Sequence, residues 1–134
     1  MHAVDTNVLV RFLTRDDEQQ ARKAKKLLES SEIFVSKTVL LELDWVLRSL
    51  YRRDHSERHK VFLALAGARN VFVEDPMAVH TALDLFGKGM DFADALHLAA
   101  SSQTEGFYTF DKQLARLAAQ SGIKNVLELA GSEE

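Results

Sequence analysis

Short runs of β-branched and aromatic residues alternate with longer stretches of helical periodicity along this sequence. The strand-like runs lie at 2–5, 33–36, 70–74 and 107–110, with a fifth, shorter one at 126–127. A first helix is expected to begin at a cap at Thr6. Further helices are expected over 19–29, 38–51, 56–66, 76–87, 92–103 and 112–121. Helical connections of this length join parallel strands and cover both faces of their sheet. We therefore predict an α/β fold, a three-layer sandwich with a central parallel β-sheet.

Size and composition favour one domain. The chain has 134 residues, of which 46% are hydrophobic, enough to bury roughly two thirds of the unfolded surface. No Pro-, Gly- or Ser-rich linker divides it, so we predict a single domain over 1–134 with residues 131–134 frayed. No apolar run reaches the roughly 18 to 20 residues of a membrane span. No basic leader precedes the first strand, and we expect a cytoplasmic protein without membrane contact.

The charges and the missing cysteines exclude several classes of site. The sequence contains no cysteine, which excludes disulfides, thiol nucleophiles and Cys-based zinc sites. Its formal net charge is −3, so its overall field does not attract nucleic acid. A nucleic-acid substrate would have to be held by a local basic patch or by a metal ion.

Four carboxylates lie in apolar contexts along the chain: Asp5, Glu42, Asp94 and Asp111. Asp5 and Asp111 each follow a predicted strand, at the sheet edge where open α/β folds bind ligands. Carboxylates brought together repel one another, and buried ones need a partner, so a convergent group would require a cation. Because all of these donors are oxygens, the favoured ions are Mg²⁺ or Mn²⁺.

The third predicted helix carries two acids with different expected environments. Glu42 has Val39, Trp45 and Val46 at helical spacing, which predicts that it lies on an apolar stripe. Asp44 lies on another side of the same helix with Arg48 four residues later, so we interpret Asp44 as an exposed, ion-paired residue.

The segment DFAD leaves an alternative open. Asp91 and Asp94 are three residues apart at the start of a predicted helix, where both carboxylates gain from the helix dipole. Asp91 is either the N-cap of this helix or a further metal ligand, whereas we favour a ligand role for Asp94.

Four sequence blocks, VDTNVLVRFL, VLLELDWVL, FADALHLAA and TFD, resemble the signature blocks of the PIN domain family. The similarity is greatest to VapC-type toxins of toxin–antitoxin pairs, and it extends over nearly the whole chain. It implies a central parallel sheet and metal-dependent endoribonuclease activity. It also implies acidic metal ligands at Asp5, Glu42, Asp94 and Asp111.

The roles we expect follow from this resemblance and from the chemistry of phosphodiester hydrolysis. Asp5 and Asp94 are predicted as the main ligands, with Glu42 and Asp111 binding directly or through water. The polar supports expected beside them are Thr6, Asn7 and Thr109. Arg11 and Arg15 are either phosphate contacts or ordinary surface arginines.

Other functions are compatible with parts of this pattern. A DxD phosphatase would begin similarly, but Asn7 replaces its second acid, and a receiver domain would place its acid after a central strand. The stronger alternatives are a catalytically weak PIN-like module that binds RNA or protein, and a housekeeping RNA-processing nuclease.

Partners are predicted from the helices and from the resemblance. Aromatic and apolar residues on amphipathic helices suggest surface left for a homodimer: Trp45, Leu50, Tyr51, Phe62 and Phe86. The resemblance implies a small antitoxin protein. We expect its amphipathic helix to bind between the first two helices and the helix over 38–51.

Overall fold

The computed structural model describes residues 1–129, so the predicted frayed tail at 131–134 lies outside the described residues. The strands are β1 His2–Ala3, β2 Ile33–Val35, β3 Val71–Val73, β4 Phe107–Thr109 and β5 Val126–Glu128. The helices are α1 Thr6–Thr14, α2 Glu18–Ser30, α3 Lys37–Ser49, α4 His55–Gly67, α5 Pro76–Gly87, α6 Phe92–Ala100 and α7 Lys112–Gln120.

All strand pairs in this part of the chain are parallel, as predicted. β2 pairs with β1 on one side and with β3 on the other, with Ile33 opposite His2 and Val71. β4 pairs with β5, with Phe107 opposite Val126. The α/β class with parallel strands is therefore confirmed.

The chain divides into two compact units, one spanning Met1–Val79 and the other beginning at His80. The first contains β1–β3 and α1–α4, and the second contains α6, α7, β4 and β5. The boundary falls inside α5. The prediction of a single domain over 1–134 stays a prediction.

The first unit has its core between the small sheet and the helices. Ile33 and Val35 of β2 are fully buried, and Leu43 of α3 and Phe62 of α4 are buried with them. Burying each side chain of this size contributes about 1.5–3 kcal/mol of transfer free energy. The inward positions alternate along β2, as expected for a strand packed against helices.

The second unit has an aromatic pair in its core. The rings of Phe86 and Phe92 meet edge to face, with centroids 5.4 Å apart and an interplanar angle of 70°. Both side chains are fully buried. Leu114 and Ala118 of α7 are also buried, and they are four residues apart, so they lie on one face of that helix.

Two of the five residues predicted at a dimer surface are core residues instead. Phe62 and Phe86 are 1% and 0% exposed, because their helices turn these positions toward the core of their own unit. Trp45 and Leu50 are 51% and 64% exposed, and Tyr51 is half-buried.

Candidate functional site

Asp5 follows β1 with Val4 between them and is the N-cap of α1. Its backbone is extended, and its carboxylate accepts a hydrogen bond from the backbone N–H of Val8 at 3.3 Å. Aspartate is favoured at this position because the first N–H groups of a helix have no intrahelical partner. The sequence suggested Thr6 as the cap. Thr6 is instead the first helical residue, so the cap stands one position earlier.

Thr6 connects the start of α1 to the acid on α3. It is 4% exposed, and its hydroxyl donates to Oε1 of Glu42 at 2.5 Å. Because Asp5 is the neighbour of Thr6, this bond holds Glu42 near the N-cap of α1. Thr6 thus holds one oxygen of Glu42, and its role as a support beside a metal site stays a prediction.

Glu42 is more exposed than its apolar neighbours suggested. Glu42 is exposed, and so is Trp45 one turn later. The buried positions of α3 are Leu40, Leu43, Asp44 and Leu47. The prediction of a buried stripe around Glu42 was therefore wrong, because the core face of this helix is rotated toward Asp44.

Asp44 is buried, and its interpretation as an exposed residue was wrong. It is 4% exposed, and Arg58 of α4 is 6% exposed. Nε of Arg58 lies 3.2 Å from Oδ1 of Asp44. This ion pair joins α3 to α4 inside the first unit. Arg58 lies on a neighbouring helix, so the spacing of charges along α3 alone could not indicate this contact.

Asp91 is the N-cap of α6, which confirms the cap interpretation. Its carboxylate accepts from the backbone N–H of Asp94 at 3.4 Å. This contact engages one carboxylate oxygen, Oδ2, and a ligand role for Asp91 remains a prediction. Asp94 lies in the first turn of α6 and is half-buried.

Asp111 lies just after β4 and is the N-cap of α7. Its Oδ1 accepts from the backbone N–H of Leu114 at 3.0 Å. Thr109, the last residue of β4, accepts from the backbone N–H of Asp111 at 3.0 Å. Thr109 therefore fixes the turn that carries Asp111, and its role as a support beside a metal site stays a prediction.

Asp94 lies in an environment that disfavours its charged form. Burial raises the pKa of Asp94, and the negative charges of Asp91 and Asp111 raise it further, while His97 opposes them. A half-buried carboxylate near two others accumulates negative charge that a cation would relieve. Asp91, Asp94 and Asp111 also line one pocket of about 260 Å³ in the second unit.

Binding of a divalent cation requires suitable donor atoms and an arrangement that brings several of them together. The donors are carboxylates, the ligands that Mg²⁺ and Mn²⁺ prefer, and the charge at Asp94 favours a cation. Within residues 1–129, however, no group of three or more His, Cys, Asp or Glu is arranged so that it could hold a metal ion. The donor chemistry fits, and the full ligand set of Asp5, Glu42, Asp94 and Asp111 stays a prediction.

The first unit has a pocket beside Asp5. Its volume is about 270 Å³, and Asn7, Arg11, Gln20 and Lys23 are among its lining residues. The two predicted arginines differ here. Arg11 lines the pocket, whereas Arg15 is exposed, has a left-handed backbone at φ 56° and forms the C-cap of α1.

Lys23 and Gln20 were missed by sequence reasoning. The lysines of α2 follow one another at a spacing typical of a solvated helix face, and spacing alone does not separate Lys23 from Lys25 or Lys26. The packing of α2 against α1 turns the position of Lys23 toward the pocket, and only a long-range contact decides that.

The comparisons with known proteins agree with this fold. The sequence model of the PIN domain matches residues 3–120. The chain therefore belongs to the PIN domain family, whose members are generally nucleases. Neither the search of curated proteins nor the search of solved structures gives a match.

Across the described residues, every helix is too short or too polar to cross a bilayer.

Proposed function

We propose that this protein is a Mg²⁺- or Mn²⁺-dependent endoribonuclease that acts as the toxin of a toxin–antitoxin pair. The observation that carries the proposal is the carboxylate group around Asp94. Its pKa is raised by burial and by Asp91 and Asp111, in a chain of a family whose members are generally nucleases. A carboxylate whose charged form is disfavoured by burial and by neighbouring acids is a candidate functional residue.

The proposed roles follow the positions of the acids. Asp5 and Asp94 would hold the cation directly, and Glu42 and Asp111 would bind it or orient its water. When bound, a divalent cation lowers the pKa of water and offsets charge on the phosphoryl oxygens. Hydrolysis forms a bond from the water oxygen to phosphorus and breaks the bond to the leaving ribose oxygen, which takes up a proton.

The polar residues near the acids would keep them in place. Thr6 holds one oxygen of Glu42, and Thr109 holds the backbone before α7. Such supporting contacts fix the orientation of a ligand, and their loss typically costs about 10–100-fold in metal affinity or activity.

The first test is metal-dependent cleavage of RNA. We expect the purified protein to cut single-stranded RNA with Mg²⁺ or Mn²⁺ and to stop when EDTA is added, with product formation followed on denaturing gels. Binding of RNA without cleavage at any metal concentration would instead support the PIN-like binding module. That alternative is favoured by the lack of a three-acid metal group among the described residues.

The proposed partners are an antitoxin protein and a second copy of the chain. An apolar cavity of about 420 Å³ lies between α1, α2 and α4, with Phe12, Leu28 and Val61 among its lining residues. α4 forms one side of this cavity, whereas the sequence suggested a groove beside the helix over 38–51. An amphipathic antitoxin helix would fit such a cavity, and exposed Trp45 and Leu50 would contribute to a homodimer.

Expression with and without the neighbouring open reading frame tests this regulation. We expect the chain alone to arrest growth and degrade RNA, and co-expression of the antitoxin to restore growth. If the active nuclease leaves growth unaffected, a housekeeping RNA-processing role replaces the toxin role.

Light scattering tests the proposed homodimer. It should give a mass about twice that of one chain for the purified protein. A monomer at micromolar concentration would contradict the dimer.

A further inference from the structure

The pocket beside Asp5 contains cationic side chains that the proposed metal site does not use. Arg11 and Lys23 line it together with Asp5 and Gln20, in a volume of about 270 Å³. The two cationic side chains lie beside a candidate catalytic carboxylate, and Val8, Ala24 and Leu27 form the apolar part of the lining.

Arg11 is held in a defined orientation. Its Nε donates to Oε1 of Gln20 at 2.7 Å, and its Nη1 lies 3.4 Å from Oδ1 of Asp16. Asp16 also accepts from the hydroxyl of Tyr51 at 2.6 Å and from that of Thr14 at 3.1 Å. A guanidinium has five N–H donors in a planar fork, so these two contacts leave donors for a further anion.

The anchor of Arg11 is a persistent charge. The hydrogen bond from Tyr51 is the main cause that lowers the pKa of Asp16. Burial opposes it, and Thr14 and Arg11 add smaller effects that also lower the pKa. Asp16 therefore stays ionised at neutral pH and well into the acid range. A guanidinium oriented before the ligand arrives loses less conformational entropy on binding.

Lys23 provides a second charge of another kind. It is exposed on α2 and makes no ion pair within residues 1–129, whereas Lys25 on the same helix lies 3.9 Å from Glu29. A flexible ammonium at the pocket suits a phosphate, which it can approach from several directions.

We propose that Arg11 and Lys23 bind a phosphodiester group of single-stranded RNA that flanks the scissile one. The proposal rests on the proposed ribonuclease function and adds to it a binding subsite with named residues. Asp16 and Tyr51 are positioning residues, because they act through Arg11. Arg15 has no part in this subsite, since it is exposed at the C-cap of α1 and does not line the pocket.

The salt dependence of RNA binding tests the proposal. In the Asp94→Asn protein with Mg²⁺, the affinity for a fluorescent single-stranded RNA is measured by anisotropy at several KCl concentrations. Arg11→Gln and Lys23→Gln are each expected to weaken binding about five- to tenfold. Each should also reduce the slope of log K against log[salt] by about 0.7, the change expected for one lost phosphate contact on a single strand.

Lys26→Gln is the matched control. Lys26 is also an exposed lysine of α2 without an ion pair among the described residues, but it does not line the pocket beside Asp5. Its affinity and slope should equal those of the parent, as should those of Arg15→Gln. Equal effects of Lys23→Gln and Lys26→Gln would overturn the proposal, because they would mean a diffuse field instead of a subsite.

Tyr51→Phe separates positioning from direct contact. It removes the hydroxyl that binds Asp16 and keeps the charge of Arg11, so we expect a raised KM for cleavage, an unchanged kcat and an unchanged salt slope. Arg11→Lys should retain the slope and only part of the affinity. A lower slope in Tyr51→Phe would contradict the positioning role.

Failure of this proposal differs from failure of the proposed function. Suppose that the wild type cuts RNA with metal, and that Arg11→Gln and Lys23→Gln both keep the wild-type KM and salt slope. That result would disprove the subsite and leave the proposed nuclease function standing. A wild type that neither binds nor cuts RNA would remove both. Because Lys23 is exposed on α2 and makes no ion pair within residues 1–129, its variant stays informative even if Arg11→Gln loses stability.

Discussion

The variant Asp94→Asn is expected to cut RNA at least about 100-fold more slowly than the wild type. Loss of a residue that merely supports a ligand typically costs about 10–100-fold, and Asp94 is proposed as a direct ligand. Asparagine keeps the shape of the side chain and removes its charge, so metal binding should suffer while packing should not. Initial rates with saturating Mg²⁺ measure this effect.

The same substitution should slightly stabilise the metal-free fold. The pKa of Asp94 is raised by burial and by two neighbouring carboxylates, so at neutral pH the folded state holds a charge that its surroundings disfavour. That cost is absent below the ordinary pKa of aspartate and appears as the pH rises through the raised value. The Tm of Asp94→Asn in EDTA should thus exceed that of the wild type at neutral pH and equal it in acid.

Asp84→Asn is the control for Asp94→Asn. Asp84 is an exposed acid on α5, in the same unit, and its loss should change neither cleavage nor Tm. Mg²⁺ should raise the Tm of the wild type and of this control, and raise that of Asp94→Asn much less. Normal cleavage by Asp94→Asn would contradict the proposed ligand set, and a large fall in its Tm would indicate a folding defect.

The order of elements could be predicted because it depends on local periodicity. Every predicted strand is present, with bounds that differ by one or two residues. The largest difference among the helices is at α6, which ends at Ala100 instead of Gln103, since Ser101 already forms its C-cap. Ends of this kind depend on single hydrogen bonds, which periodicity does not report.

The caps show where local rules give more than one answer. Thr6 was the predicted cap of α1, but Asp5 holds this position. Asp54, just before the predicted helix over 56–66, caps α4 and forms a capping box with Glu57. Asp, Ser and Thr have similar cap preferences, so neighbouring candidates cannot be separated by type. This matters for the candidate site, because Asp5, Asp91 and Asp111 are all N-caps. One oxygen of each carboxylate accepts a hydrogen bond from a backbone N–H.

Long-range contacts account for the other errors. Glu42 was expected on the buried face of α3 and Asp44 on the exposed one, and the structure has them reversed. The local pattern contained an apolar neighbour set for Glu42 and a cation for Asp44, but the decisive partner, Arg58, lies on another helix. In the same way Lys23 could not be distinguished from the other lysines of α2 before its pocket was known.

Breaking the buried pair between Asp44 and Arg58 should strongly destabilise the protein. Asp44→Asn leaves the Arg58 guanidinium, 6% exposed, without its counter-charge, and Arg58→Met does the same to the carboxylate. Removal of one partner of a buried ion pair costs about 3–5 kcal/mol, whereas replacing both by apolar residues is often neutral. The double variant Asp44→Leu with Arg58→Met should therefore recover most of the stability that each single variant loses.

Urea denaturation measures this cycle, and an exposed pair provides its control. Lys25 and Glu29 lie 3.9 Å apart with side chains 49% and 64% exposed, so Lys25→Met should cost less than about 1 kcal/mol. If Asp44→Asn costs as little as Lys25→Met, the charge of Asp44 is not required by the core of the first unit. If the single variants are strongly destabilised and the double is not, the pair matters because each of its charges would be costly alone. Asp44 would then be unsuitable as a neutral control for catalysis, since any loss of activity in its variants would reflect loss of folded protein.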